Sequence, residues 1–222
     1  MSSRMLRQEI SSCQLCTRLR QHCETVALER RRAYRDQVYW GRPVPPFGPA
    51  DARLLVVGLA PGAHGANRTG RIFTGDRSGD WLYRALHKAG FANQPQSIGI
   101  DDGLELLDAR VTCVVKCAPP DNKPLPAEVS TCSSRFLARE LGGGSRAEVI
   151  IALGRLAWDT VQKLLDPQNS RTPFAHGARR TLPGGGSLLG SFHPSQQNTF
   201  TGKLTEPMFD QIFIEARRIL DG

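Results

Sequence analysis

The chain lacks any run of ~18 uninterrupted apolar residues, and its first residues, MSSRMLRQEISSC, lack the apolar stretch of a signal peptide. Both shortages speak against membrane insertion and secretion, and the expectation is a cytoplasmic protein with no membrane partner. Lysine is scarce: of 29 Lys and Arg, only Lys88, Lys116, Lys123, Lys163 and Lys203 are lysine, which leaves 24 arginines. No Gly-Lys-Ser/Thr closes the one long glycine-rich segment, and its glycine spacing differs from the dinucleotide fingerprint, so a nucleoside triphosphate is not indicated. There is no internal repeat, and low complexity is confined to the glycine runs 142–144 and 184–186.

What is present is enough to build a core. With 222 residues, 40% of them hydrophobic, the chain suits one large domain or two small ones and excludes wholesale disorder. The formal charge is +8, carried mostly by arginine, whose planar fork suits bidentate contact with phosphate. A GC-rich genome would also favour arginine codons, but the resulting positive field attracts polyanions whatever its origin.

Six cysteines stand at 13, 16, 23, 113, 117 and 132. A reducing compartment argues against structural disulfides. Cys13-Gln14-Leu15-Cys16 has no strand before it, unlike a thioredoxin-type redox motif. The remaining chemical reading is a tetrahedral sulfur site: two thiolates from the N-terminal turn and two from 113, 117 and 132, holding zinc or an iron-sulfur cluster. Thiolates alone do not choose between the metals, and one or two of the six fit as small buried hydrophobes.

Along the chain, a basic N-terminal helix leads into a proline-rich extended segment near 39–48. An unbroken apolar run within 53–60 reads as a strand buried on both faces, and further strands are expected at 111–115, 147–153, 178–182 and 187–192. Helical spacing follows at 81–89, from about Pro126, at 155–165 and from about Thr205 to Leu220. This alternation predicts an α/β fold, a mainly parallel sheet with helices on both faces, and puts function at the edge where the strands end.

Three loops at that edge carry unusual polar content: GLAPGAHGANRTGRIFTGD (58–76), VVKCAPPDNKP (114–124) and HPSQQNTFTGKL (193–204). Together with CQLC at 13–16 and in this order, they resemble the iron-sulfur family 5 branch of the uracil-DNA glycosylase superfamily, over about residues 10–220. The resemblance implies a three-layer α/β/α sandwich, a single domain over 1–222, and hydrolysis of the N-glycosidic bond of a damaged base in DNA. It further implies a monomer acting on DNA and a largely structural 4Fe-4S cluster on Cys13, Cys16, Cys117 and Cys132, two of them from the segment 1–50. Cys23 and Cys113 are left outside the cluster.

The resemblance also assigns roles. Phe73 stacks on a base extruded from the duplex, Asp76 orients or activates water, and Asn122 is a second water or base contact. His193 meets the base carbonyl that gains negative charge, for which a neutral imidazole suffices. Gly62, Ala63 and His64 of the first loop are expected to bind the substrate, His64 also shaping the loop, and Ser195, Gln197 and Asn198 to reach phosphates or the gap left by the flipped nucleotide. Read alone, each has a plainer account: Phe73 as core, Asp76 as the N-cap of a helix starting near Arg77, Asn122 as a turn residue, His193 as a satisfied histidine.

Related branches carry an acid and an asparagine at two positions that are Leu59 and Cys113 here. Without the amide at 113 the pocket discriminates less sharply, so broad specificity is expected, covering uracil, hypoxanthine and modified uracils. The competing readings are a catalytically silent iron-sulfur DNA-binding module and a zinc protein of similar fold. Arg68, Arg71 and Arg77, in the first loop region, are expected to face DNA and make binding salt-sensitive.

Overall fold

The structure is a computed structural model and describes residues 3–142, 145–169 and 171–222. Gly143 and Gly144 of the first glycine run therefore lie outside the described residues. Strand β1 (Leu54–Gly58) is central because it has no polar side chain to expose, and all five of its residues are buried. Leu54 and Val56 enter one apolar cluster and Leu55 and Val57 another, which is why the run is continuous rather than alternating.

Parallel to β1 run β2 (Ala109–Cys113) on one side and β3 (Val149–Leu153) on the other. Beyond β3 lies β5 (Ser187–Ser191), also parallel, and β4 (Arg179–Thr181) closes that edge antiparallel to it. The sheet order is β2-β1-β3-β5-β4. Charge guards the β4 edge: Arg180 pairs with Asp166 at 2.5 Å and Arg179 with Glu215 at 3.3 Å.

On one face, α4 (Arg77–Lys88) contributes Leu82 and Leu86, and α9 (Glu206–Asp221) contributes Phe209 and Phe213. The other face is covered by Leu19 of α2 (Thr17–Glu29), Phe136 and Leu137, and Trp158 and Val161 of α7 (Arg155–Leu165). Each such fully buried side chain contributes about 1.5–3 kcal/mol by removing apolar surface from water. The expected three layers are therefore present.

Local chemistry sets the element ends. Thr205 accepts the Met208 N–H and starts α9 where the periodicity places it. The helix expected from Pro126 runs as α5 (Pro126–Cys132), passes through a π-turn at Ser133–Leu137 and ends as α6 (Ala138–Leu141). The N-terminal segment departs from the single helix expected. It forms α1 (Ser3–Ser11) and α2, because the Cys13–Cys16 turn interrupts the ladder between them. Two short helices, α3 (Ala66–Thr69) and α8 (Gln196–Phe200), lie inside loops that showed no periodicity long enough to reveal them.

Candidate active site

The four parallel strands deliver the 59–76, 114–125 and 192–205 segments to one edge. Phe73 sits there at φ 52°, a left-handed conformation that favours glycine, and is 6% exposed. Its ring lies so close to Gly58 that a Cβ there would come within 2.7 Å of it and within 3.2 Å of the Cys113 sulfur. Gly58 and Cys113 face each other in the β1–β2 register. The imidazole of His193 stacks on Phe73, centroids 5.8 Å apart and planes at 30°. Phe73, Gly58, Cys113 and His193 thus come together at this edge and form the candidate base slot.

Burial pushes the His193 pKa down to about 4, so its imidazole is neutral near pH 7. Its backbone carbonyl accepts a 2.9 Å bond from the Asn198 side-chain amide, and the Asn198 backbone carbonyl in turn accepts the Leu204 N–H at 3.0 Å. Asn198 therefore helps to hold His193 in place through one N–H of its amide. Ser195 caps α8 by accepting the Asn198 N–H, while Gln197 is exposed at the same edge.

Asp76 is the N-cap of α4 and accepts the Gly79 N–H at 3.0 Å. A Cβ on Gly62 would lie 2.8 Å from its Oδ2, and one on Gly65 would fall onto the carboxylate itself. This close backbone leaves the carboxyl half-buried, and burial raises its pKa despite the Gly79 and Ser78 N–H groups. The cap bond uses Oδ1, while Oδ2 lies against Gly62 and Gly65. Asn122 is exposed after β2, in a turn where Asp121 and Asn122 both have positive φ, at 53° and 56°. No hydrogen bond of its side chain occurs among the described residues.

Other residues of the first loop have structural duties. The Ala63 side chain packs against the second apolar cluster. His64 Nδ1 is 3.0 Å from the Tyr39 hydroxyl, an anchor that sequence spacing did not reveal. Two of the three arginines expected to face DNA are buried, which corrects that expectation. Arg68 lies over the Tyr34 ring and donates to His64 O, Gln37 and Gly75 O. Arg71 pairs with Asp102 at 2.5 Å and bonds Thr74 and Ser97. Both carry their charge inward to rigidify the loop; only Arg77 is exposed. His176 is likewise structural, accepting the Phe192 N–H at Nδ1 with Nε2 toward Met208 O.

All six cysteines are free thiols. Cys13, Cys16, Cys117 and Cys132 line one small pocket, together with Leu15, Leu19, Val115 and Phe136. The Lys116 backbone N–H points to the Cys132 sulfur at 3.3 Å. Among the described residues, no three His, Cys, Asp or Glu converge on a single-ion position. Cys23 is fully buried beside Cys117, and Cys113 belongs to the slot. A link the sequence did not suggest lies between pocket and slot: buried Lys116 reaches Thr112, the Cys113 carbonyl and, at 2.6 Å, Glu140.

The fold is that of an α/β/α protein whose long polar loops gather at the carboxyl edge of a parallel sheet. The family model of the uracil DNA glycosylase superfamily matches residues 45–217. The type-5 uracil-DNA glycosylase of Mycobacterium leprae is 51% identical over 215 residues, 96% of this chain and 94% of the relative. That of Thermus thermophilus is 49% identical over 212 residues, 96% and 95%. That of Mycobacterium tuberculosis is 51% identical over 211 residues, 95% and 79%. The chain belongs to the uracil-DNA glycosylase superfamily and, within it, to the type-5 enzymes.

Proposed function

We propose that this protein releases uracil from DNA by hydrolysing the N-glycosidic bond, leaving an abasic site. The observation that carries this is the stacked Phe73–His193 pair over Gly58, in a chain about half identical to type-5 uracil-DNA glycosylases over nearly its whole length. A base inside a duplex is out of reach, so it is extruded into the slot, where Phe73 supplies a π-face. As the bond breaks, negative charge grows on the base carbonyl, and the neutral His193 donates a hydrogen bond to it. Asp76 takes the proton of the water that adds to the sugar carbon, with Asn122 as a second contact for that water or for the base. Leu59 offers no carboxylate, so the departing anion supplies much of the reactivity.

The slot presents the Cys113 thiol where an amide would select uracil. A pocket without that demand leaves no buried group unpaired by a different base, so hypoxanthine and modified uracils are substrates as well. Cys13, Cys16, Cys117 and Cys132 are the ligands of a 4Fe-4S cluster. Four sulfurs around one apolar-walled pocket are the thiolate set that such a cluster requires. Such a cluster ties the N-terminal turn to the β2 loop and α5. The protein acts as a monomer in the cytoplasm.

The test is strand cleavage after alkali at a single uracil in labelled duplex DNA, run beside Asp76→Ala and Asn122→Ala. Both variants are expected to lose most activity, and wild-type rates in both would sink the site assignment. Loss of activity in every form, with DNA binding kept, would favour the silent binding module. Brown colour with stoichiometric iron and sulfide distinguishes the cluster from zinc.

A further inference from the structure

Away from the Phe73–His193 cluster, a groove with arginines along it lies between α1 and the extended segment 40–46. It is an open groove of about 950 Å³ lined by Arg4, Arg7, Gln8, Ser11, Trp40 and Pro45. Arg42 lies at its rim, its guanidinium 4.4 Å over the Trp40 ring. Arg4, Arg7 and Arg42 are exposed, and none has an acidic partner among the described residues. The one acid of α1, Glu9, faces away and pairs with Arg135 and Arg139 at 2.8 and 2.7 Å. Three cations held together without compensation repel one another, an arrangement that a bound polyanion relieves.

The position of the groove says which polyanion. Trp40 packs its ring on Gly70 of the first active-edge loop, and its backbone N–H bonds the Arg68 carbonyl at 2.9 Å. From there the segment descends along the outer edge of β2: Val44 N–H bonds Lys116 O, and Phe47 pairs antiparallel with Val111. Arg7 follows it, donating to the Pro46 carbonyl at 2.7 Å. The groove thus starts beside the loop that holds Phe73 and Asp76 and leads away from it along the side of the sheet. Gly70 and the Arg42 guanidinium both pack against the Trp40 ring, so the ring is engaged by the protein itself. The chemistry on offer is charge and side-chain hydrogen bonding, which reads backbone and not sequence.

We infer that this groove is a second DNA-contacting track, which grips the phosphodiester backbone flanking the extruded base through Arg4, Arg7 and Arg42. The inference rests on the glycosylase reading above and adds to it where the flanking strand runs. It also locates cationic surface that Arg68 and Arg71, being buried, do not provide.

The experiment measures binding of uracil-containing duplexes by fluorescence anisotropy across a salt series, with a long duplex and a short one that covers only the base slot. The triple variant Arg4→Gln, Arg7→Gln, Arg42→Gln is expected to bind the long duplex at least tenfold more weakly. The slope of log affinity against log salt falls by about 2–3, since each lost phosphate contact removes roughly 0.9. The advantage of long over short duplex shrinks with it. Arg4→Lys, Arg7→Lys, Arg42→Lys recovers most of the slope, because neutralising phosphate needs a point charge, whereas a packing role would not be rescued. Arg146→Gln, Lys163→Gln, Arg171→Gln, an equal loss of charge outside the groove, keeps the length advantage. An unchanged slope in the glutamine triple, an equal loss on both duplexes, or an equal effect of the control triple would overturn the inference while leaving the glycosylase reading intact. Failure of the wild-type protein to bind or cleave uracil DNA would overturn both.

Discussion

The imidazole of His193 lies face to face with the ring of Phe73, across a gap of 5.8 Å between centroids. The two residues are 120 positions apart, and each is held from behind: Phe73 by Gly58, and His193 by the Asn198 amide. Replacing His193 by alanine removes the only imidazole donor from the slot and is expected to slow single-turnover uracil release by about a hundredfold. Asn198→Ala, which only frees His193, is expected to cost less and to leave the position of the DNA complex unchanged by footprinting.

The same histidine makes a prediction about pH. Its pKa lies near 4 in the folded protein against 6.5 ordinarily, so the unfolded chain binds the proton more tightly. The His193 contribution therefore costs stability as pH falls from about 6.5 to about 4 and levels off below. Melting curves across that window should drop less steeply for His193→Gln than for the wild type. Parallel curves for the two proteins would refute the assignment.

At Asp76, function and stability pull in opposite directions. Burial raises its carboxyl pKa, so at neutral pH the ionised group weakens the fold, and this loss sets in as pH rises above the ordinary carboxyl value of 3.8. Asparagine caps a helix as well as aspartate and carries no charge. Asp76→Asn is expected to lose excision activity yet melt at a higher temperature at pH 7, with the gain disappearing in acid. A lower melting temperature at pH 7 would contradict this account.

Gly65→Ala tests how tightly that carboxylate is seated. The new Cβ would fall on it, so Asp76 must swing out, losing its cap at a cost of about 1 kcal/mol and its place at the slot. Excision should fall tenfold or more, with a small drop in melting temperature. Gly99→Ala meets nothing within 4 Å and should change neither.

Arg71 and Asp102 pin the first loop to the 97–104 segment. Burial alone would raise the Asp102 carboxyl, but Arg71 and the N–H groups of Leu104, Ile98 and Gly99 hold it well below the usual carboxylate range. Arg71→Ala strands that charge and is expected to cost about 3–5 kcal/mol in chemical denaturation. Its affinity for DNA per folded molecule should stay that of the wild type, which a DNA-facing arginine would not permit.

Much of this was legible in the sequence. An apolar run too continuous for a half-exposed strand predicted a parallel sheet buried on both faces, and the alternation with helices put function at one edge. Loop motifs were enough to suggest the family, and residues such as Asp76 and Cys132 took the local positions their neighbours imply: an N-cap before α4 and the last turn of α5. These are short-range properties, set by periodicity and capping chemistry that operate within a few residues.

What the sequence did not decide was which polar groups face inward. Arg68, Arg71 and Arg77 look alike in a glycine-rich loop, and only packing separates the two that anchor it from the one left in solvent. The stacking of Phe73 on His193, the pocket shared by four distant cysteines and the unpaired arginines beside Trp40 likewise arise from segments that meet only when the sheet assembles. A charge's partner and its distance from water depend on that assembly, and both are long-range quantities that local pattern does not encode.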